Sequence, residues 1–128
     1  MTKEIKIVTL CGSTRYKPVF EIVEKELALQ GYLVITVSCW GHVDDDPRIE
    51  GSKELLDYVH LRKIDLADIV YVIDYAGYIG ESTMREIAYA EEHNKEVKYL
   101  SDDEEMKEIV TLELFKKVNS LGVEYSWI

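Results

Sequence analysis

The run Ile69-Val70-Tyr71-Val72-Ile73 leads across a short Asp/Gly loop into Gly80-Glu81-Ser82-Thr83-Met84-Arg85-Glu86-Ile87-Ala88-Tyr89-Ala90. An unbroken β-branched and aromatic run reads as a strand buried on both faces, as strands of parallel sheets are. Gly80 then opens a segment whose apolar residues recur at helical spacing. A strand, a glycine-bearing loop and a helix start form the unit on which α/β proteins build small-molecule sites, outside the carboxyl end of the sheet. Asp74, Glu81 and Glu86 crowd this junction, where one acid would suffice to cap the helix. That surplus marks the junction as the place to look for chemistry.

Outward from it the same alternation repeats. Strand-like runs occupy 5–10, 32–37 and 97–100, and helical patterns run over about 18–30, 52–66, 82–93 and from 101 towards 119. Pro18 suits a first helical turn and Gly31 a C-cap. Ser101-Asp102-Asp103-Glu104 carries a capping-box signature. Repeated strand–helix alternation predicts a parallel sheet with right-handed crossovers. The expectation is one Rossmann-like, flavodoxin-like three-layer α/β domain over 1–128, with four to five strands. No internal repeat, low-complexity segment or linker interrupts it.

At 128 residues, 47% hydrophobic and 31% charged, the chain can bury one real core and reads as a soluble domain rather than a disordered one. No apolar run approaches the roughly 20 residues of a membrane helix, and Met-Thr-Lys-Glu-Ile-Lys lacks the apolar stretch of a signal peptide. A cytoplasmic protein with no membrane partner is expected. A formal charge of −10 repels phosphate backbones, so no nucleic acid polymer is expected as a partner. One small phosphorylated ligand remains compatible, because a few aimed donors outweigh a distant field. Cys11 and Cys39 fall at the ends of the first two strands; in a cytosolic chain they read as small buried hydrophobes, not a disulfide.

The long loop 38–51 holds Trp40, Gly41, His42 and Asp44-Asp45-Asp46-Pro47. It should overhang the same sheet edge as the other strand–helix loops, as a lid or binding loop would. Its acids and His42 admit a metal reading, but no second group shows ligand-like spacing. A solvated turn is the commoner meaning, so neither metal nor organic cofactor is expected.

Three constellations could carry chemistry. In Leu10-Cys11-Gly12-Ser13-Thr14-Arg15, Gly12 permits a tight backbone, Ser13 and Thr14 offer hydroxyls, and Arg15 adds a planar cation, together a plausible anion cradle. It is neither G-x-G-x-x-G nor a P-loop, and the same hydroxyls serve as plain helix caps. In 52–66, the stripe Leu56, Val59, His60, Ile64 and Ala67 turns His60 inward, where a lone histidine is more often core than functional. Asp65 and Asp68 oppose the dipole at that helix end. In 82–93, Thr83, Met84, Ile87 and Ala90 make the buried stripe with Glu86 on its flank. Lying in the second turn, Glu86 should feel the positive end of the dipole and stay ionised near neutral pH. Such a carboxylate in a crevice is a nucleophile or charge stabiliser. From spacing alone, a surface glutamate in an i→i+4 pair is the commoner meaning.

The order of these pieces resembles the nucleoside 2-deoxyribosyltransferase superfamily, which includes the 2'-deoxynucleoside 5'-phosphate N-hydrolases. The resemblance covers roughly residues 5–100. It rests on Cys-Gly-Ser-Thr-Arg after the first strand, Ala-Asp before the third, and Gly-x-x-x-x-x-Glu-Ile-x-x-Ala at the next helix. It implies that Glu86 attacks the anomeric C1' carbon, expels the base and forms a glycosyl ester, which a second base or water resolves. An anion beside C1' suits an oxocarbenium-like transition state. Gly12, Ser13 and Arg15 would hold the sugar 5' end. His60 stands where transferases carry an aspartate near the base, and Glu81 lies in the acidic stretch where they use a carboxylate at the base; the resemblance implies that His60 and Glu81 orient the base and that Gly80 and Ser82 also bind substrate. Two departures limit the transfer: His60 changes the pattern offered to the base, and Gly80 replaces the serine of phosphate-specific hydrolases. The resemblance also implies a homodimer, for which the tail with Tyr125 and Trp127 offers a surface. The expected activity is cleavage or transfer of the N-glycosidic bond of a small deoxynucleoside or nucleotide. A non-catalytic nucleotide-sensing module, or an interaction protein using its acidic surface and tail, fits the same fold.

Overall fold

Every residue of β3, Ile69–Ile73, is buried, because this strand has a neighbour on each side and helices on both faces. A computed structural model describes residues 4–37 and 46–120. In chain order the elements are β1 (Ile7–Gly12), α1 (Lys17–Leu29), β2 (Leu33–Ile35), α2 (Pro47–Gly51), α3 (Lys53–Leu66), β3, α4 (Glu81–Glu92), β4 (Glu96–Tyr99) and α5 (Glu104–Ser120). The sheet is wholly parallel, in the order β2-β1-β3-β4. Val8 lies opposite Ile69 and Gly12 opposite Ile73, so β1 and β3 end together. This is the expected flavodoxin-like architecture with four strands.

Alternation along the strands sorts the core into two layers. Val8 and Leu10 of β1 join Ile69, Tyr71 and Ile73 of β3 under α1 and α5, whose Val19, Phe20, Val23, Leu27, Met106 and Val110 complete that layer. Cys11, Val70 and Val72 face the other way, against Ile64, Ile87 and Ala90 of α3 and α4. Burying one side chain such as Phe20 contributes about 1.5–3 kcal/mol. β2 is shorter than the apolar run suggested; just past its end the Thr36 carbonyl accepts the Lys63 ammonium at 2.9 Å.

Helix boundaries follow from caps. Pro18 sits in the first turn of α1, and Gly31 beyond its end takes the left-handed φ of +98°. Two expected stripes are corrected. On α4, Thr83, Ile87 and Ala90 are buried but Met84 is 61% exposed. At about 100° per residue the three buried residues share an arc of roughly 60°, while Met84 lies about 90° from its centre. On α3 only His60 and Ile64 are buried, and Val59 is 40% exposed.

The expected capping box is also corrected. Asp103, not Ser101, caps α5, its Oδ1 accepting the Met106 N–H at 3.1 Å. Ser101 gives its N–H and hydroxyl to Asp74, at 2.9 and 2.5 Å. The acids that seemed to oppose the α3 dipole have other work. Asp68 accepts the Ile7 N–H at 2.8 Å and so splices β3 to β1. Asp65 pairs with Arg62 at 2.9 Å and accepts the Tyr89 hydroxyl at 2.5 Å. In the long loop, Asp46 caps the short α2 and pairs with Arg48. Cys39, Trp40, His42, Asp44, Asp45, Tyr125 and Trp127 lie outside the described residues. No described helix is long and apolar enough to cross a membrane.

Candidate active site

The chain reverses its winding between β1 and β3, and a cleft opens at their carboxyl ends, where open α/β sheets bind ligands. Its volume is about 620 Å³, within the range of small-molecule sites. Gly12, Ser13, Arg15, His60, Gly80, Glu81, Ser82 and Glu86 all line it. The fold thus gathers every residue nominated to hold or attack a substrate, though they face the cleft differently.

The first wall begins at Gly12. Its φ is +150°, and a Cβ there would stand 2.8 Å from the Ile73 carbonyl oxygen, so only glycine lets β1 leave this close to β3. Ser13 is occupied locally: its Oγ accepts the Arg15 N–H at 3.4 Å and caps the short turn Thr14–Tyr16. Helix α1 therefore starts at Lys17, one turn later than a simple anion cradle would have it. Arg15 reaches across the cleft to the loop after β3. Its guanidinium carbon lies 4.3 Å from the Tyr78 ring centroid, and Nη2 donates to the Tyr78 hydroxyl at 3.3 Å. Tyr16 meets the same ring edge-on. This clasp joins two loops into one aromatic and cationic wall.

The second wall is the start of α4. Gly80 occupies the N-cap and gives the first-turn N–H groups no side-chain bond. Ser82 accepts Arg85 Nη2 at 3.3 Å. The Glu81 side chain is 90% exposed, with Arg85 at 3.8 Å. Asp74 has left the site altogether for Ser101. The three acids of the junction therefore go to three places: Glu86 is desolvated within the cleft, Glu81 stands solvated on its rim, and Asp74 is structural.

The desolvated carboxylate of the cleft is therefore Glu86. Its Oε2 stands 3.2 Å from His60 Nε2, the two side chains being 16% and 5% exposed. Cys11 Sγ approaches the same nitrogen at 3.4 Å, and His60 Nδ1 is buried without a partner. A buried orphan N–H costs more than a bare lone pair, which assigns the proton to Nε2, donating to Glu86 Oε2. Burial pushes the Glu86 carboxyl up to about 8, Asp57 adding to the rise and Arg85 opposing it. Burial, then Lys63, lowers His60 to about 4. Burial and Glu86 hold the Cys11 thiol well above its usual range. The expectation of an ionised Glu86 is therefore corrected. In the second turn the dipole is weak, while desolvation acts on the whole charge.

Sequence reasoning missed Cys11 as a neighbour of the site, Asp57 as the acid bearing on Glu86, and Tyr78 as the partner of Arg15. Tyr78 had a signal, an aromatic residue in the loop before α4. The other two depend on register between distant elements. Sγ, Nε2 and a carboxylate oxygen of Cys11, His60 and Glu86 lie within 4.8 Å of one another, the donor set among the described residues that could hold a metal ion. No protein-family model matches the chain, and no curated protein matches it.

Proposed function

We propose that the protein cleaves or transfers the N-glycosidic bond of a small deoxynucleoside or its 5'-phosphate, with Glu86 as nucleophile. The observation that carries this reading is one desolvated carboxyl group, bonded to a histidine, on the floor of a cleft sized for a mononucleoside. The Glu86 carboxylate attacks C1', and the C1'–N bond breaks with its electron pair leaving on the base. The resulting ester is opened when water or a second base attacks C1', which returns the carboxylate. His60 is engaged with Glu86, so its part is to hold and stabilise the anion through Nε2–H, a bond that becomes charge-assisted on ionisation. Gly12, Ser13 and Arg15 would meet the sugar 5' end, and Tyr78 offers a face for stacking. A cytoplasmic homodimer accompanies the reading.

A non-catalytic nucleotide-binding module is the second reading. It is favoured by the raised Glu86 value, because a carboxyl that keeps its proton at neutral pH is a weak nucleophile. Chromatography of metal-free protein incubated with deoxynucleosides and their 5'-monophosphates, with and without a free second base, separates the two. Base release or exchange is expected, to fall at least about 10³-fold in Glu86→Gln and to rise with pH towards about 8 as Glu86 ionises. Full turnover in Glu86→Gln would end the glycosyl reading. Tight nucleotide binding with no base release at any pH would establish the module instead.

A further inference from the structure

Cys11, His60 and Glu86 come from β1, α3 and α4, and no ligand-like spacing connects them in the sequence. The fold alone brings their donor atoms within 4.8 Å of one another. In a tetrahedral zinc site, with Zn–S near 2.3 Å and Zn–N and Zn–O near 2.0–2.1 Å, neighbouring ligand atoms stand about 3.3–3.6 Å apart. Here Sγ and Nε2 are 3.4 Å apart, and Nε2 and Oε2 3.2 Å. The first edge of the tetrahedron falls within that range and the second about 0.1 Å below it. The third edge, from Sγ to the carboxylate, is at most 4.8 Å and has to shorten for a tetrahedron; Glu86 is the most exposed of the three. We propose that this cluster binds one thiophilic divalent ion of the zinc class, through Cys11 Sγ, His60 Nε2 and Glu86 Oε2, with the fourth position open to the cleft.

Thiolate, imidazole and carboxylate are the three ligand types that zinc takes, and three protein ligands with one open position make an accessible rather than a closed structural site. Binding forms three metal–ligand bonds and releases the Cys11 proton, with the Glu86 proton where one is present. No electron changes hands. Glu86 and the nearby Asp57 favour a cation here, while Lys63, whose ammonium is held by the Thr36 carbonyl, opposes it. His60 must then carry its proton on Nδ1, which has no acceptor. Zinc-binding histidines normally hydrogen-bond that second N–H, and losing the bond weakens binding by roughly 10- to 100-fold. The ion is therefore exchangeable and yields to a chelator.

The site does not depend on the glycosyl reading. Its consequence does: if Glu86 is the nucleophile, a bound ion occupies the attacking oxygen and zinc is a reversible inhibitor.

The test is titration of the full-length, chelator-treated protein with Co²⁺ alone, followed by Zn²⁺. The expected result is a near-ultraviolet thiolate-to-cobalt charge-transfer band that saturates at about one equivalent and is bleached by zinc. Cys11→Ser should abolish the band, Glu86→Gln should weaken cobalt binding at least 10-fold, and Cys39→Ser should leave the band intact. Should Cys11→Ser fail to fold by circular dichroism, the Glu86→Gln and Cys39→Ser pair decides. No band in the native protein, a band that survives Cys11→Ser, or one that disappears with Cys39→Ser overturns the site. Metal binding without base release from the metal-free protein would end the glycosyl reading and leave the site standing.

Discussion

Burial acts on Glu86 and His60 in opposite senses, discouraging negative charge on one and positive charge on the other. The folded imidazole titrates near 4, against 6.5 in a free side chain. Between those values unfolding takes up a proton, so stability rises with pH. The folded carboxyl titrates near 8, against 4.5. Between these values unfolding releases a proton, and stability falls as pH rises. From about 4.5 to 6.5 the two slopes cancel, and above 6.5 only that of Glu86 remains. Metal-free protein should therefore lose up to about 2 kcal/mol between pH 6.5 and 8, and Glu86→Gln should remove the decline. Urea unfolding at stepped pH, with chelator present, measures both. Parallel curves for the two proteins over that window would mean that the folded carboxyl is not raised. Periodicity put Glu86 on the flank of the buried stripe but left a surface glutamate the commoner meaning, and the structure holds its side chain only 16% exposed. Its protonation was not readable from sequence. That depends on how much of α3 covers it and on Asp57, neither of which is local in sequence.

Elements were legible where a two- or 3.6-residue period ran uninterrupted. β3 occupies the residues expected of it, and α1, α3 and α4 begin and end within a residue of expectation, because Pro18, Gly31 and Gly80 punctuate them. Legibility failed where two local patterns competed. Ser101-Asp102-Asp103-Glu104 satisfies a capping box, but Asp74 captures Ser101 and the next-but-one residue takes over the cap. That substitution has a measurable consequence. Asp103 caps α5 with one oxygen and accepts the Tyr71 hydroxyl with the other, at 2.9 Å. Burial and Asp103 together push the Tyr71 hydroxyl far above its ordinary range, so this phenol stays a donor. Asp103→Ala should lose about 1 kcal/mol for the cap and a further 1–3 kcal/mol for the unpaired hydroxyl. Ser101→Ala keeps its backbone bond to Asp74 and should lose about 1 kcal/mol. Chemical denaturation of the two variants ranks them. An equal loss, or a larger one for Ser101→Ala, would return the cap to Ser101.

At the scale of the molecule, the cleft is a product of topology. Residues 12–15, 60, 80–83 and 86 share it because β1 and β3 are neighbours that end together while their crossovers leave in opposite directions. Strand–helix alternation was enough to foresee such an edge, whereas Cys11 and Asp57 required the register of the finished sheet. The whole molecule also sets how the charge is borne. With 25 acidic against 15 basic residues, the compact state repels itself more than the unfolded chain does. Opposing this are exposed pairs such as Arg62–Asp65 and Lys107–Glu104, at 2.9 and 2.8 Å, each contributing at most about 1 kcal/mol. Salt screens both, but long-range repulsion among many like charges is screened first, once separations exceed a Debye length of about 10 Å at 0.1 M. Stability should therefore rise with added sodium chloride, by about 1 kcal/mol between low salt and 0.5 M, a shift of roughly 3–6 °C in Tm for a domain of this size. A calorimetric series in chloride, at a pH below 6.5 where Glu86 keeps its proton, reads the effect without the site's own titration. A Tm that falls as salt is added would mean that the paired surface charges, not the net charge, dominate the electrostatics of this fold.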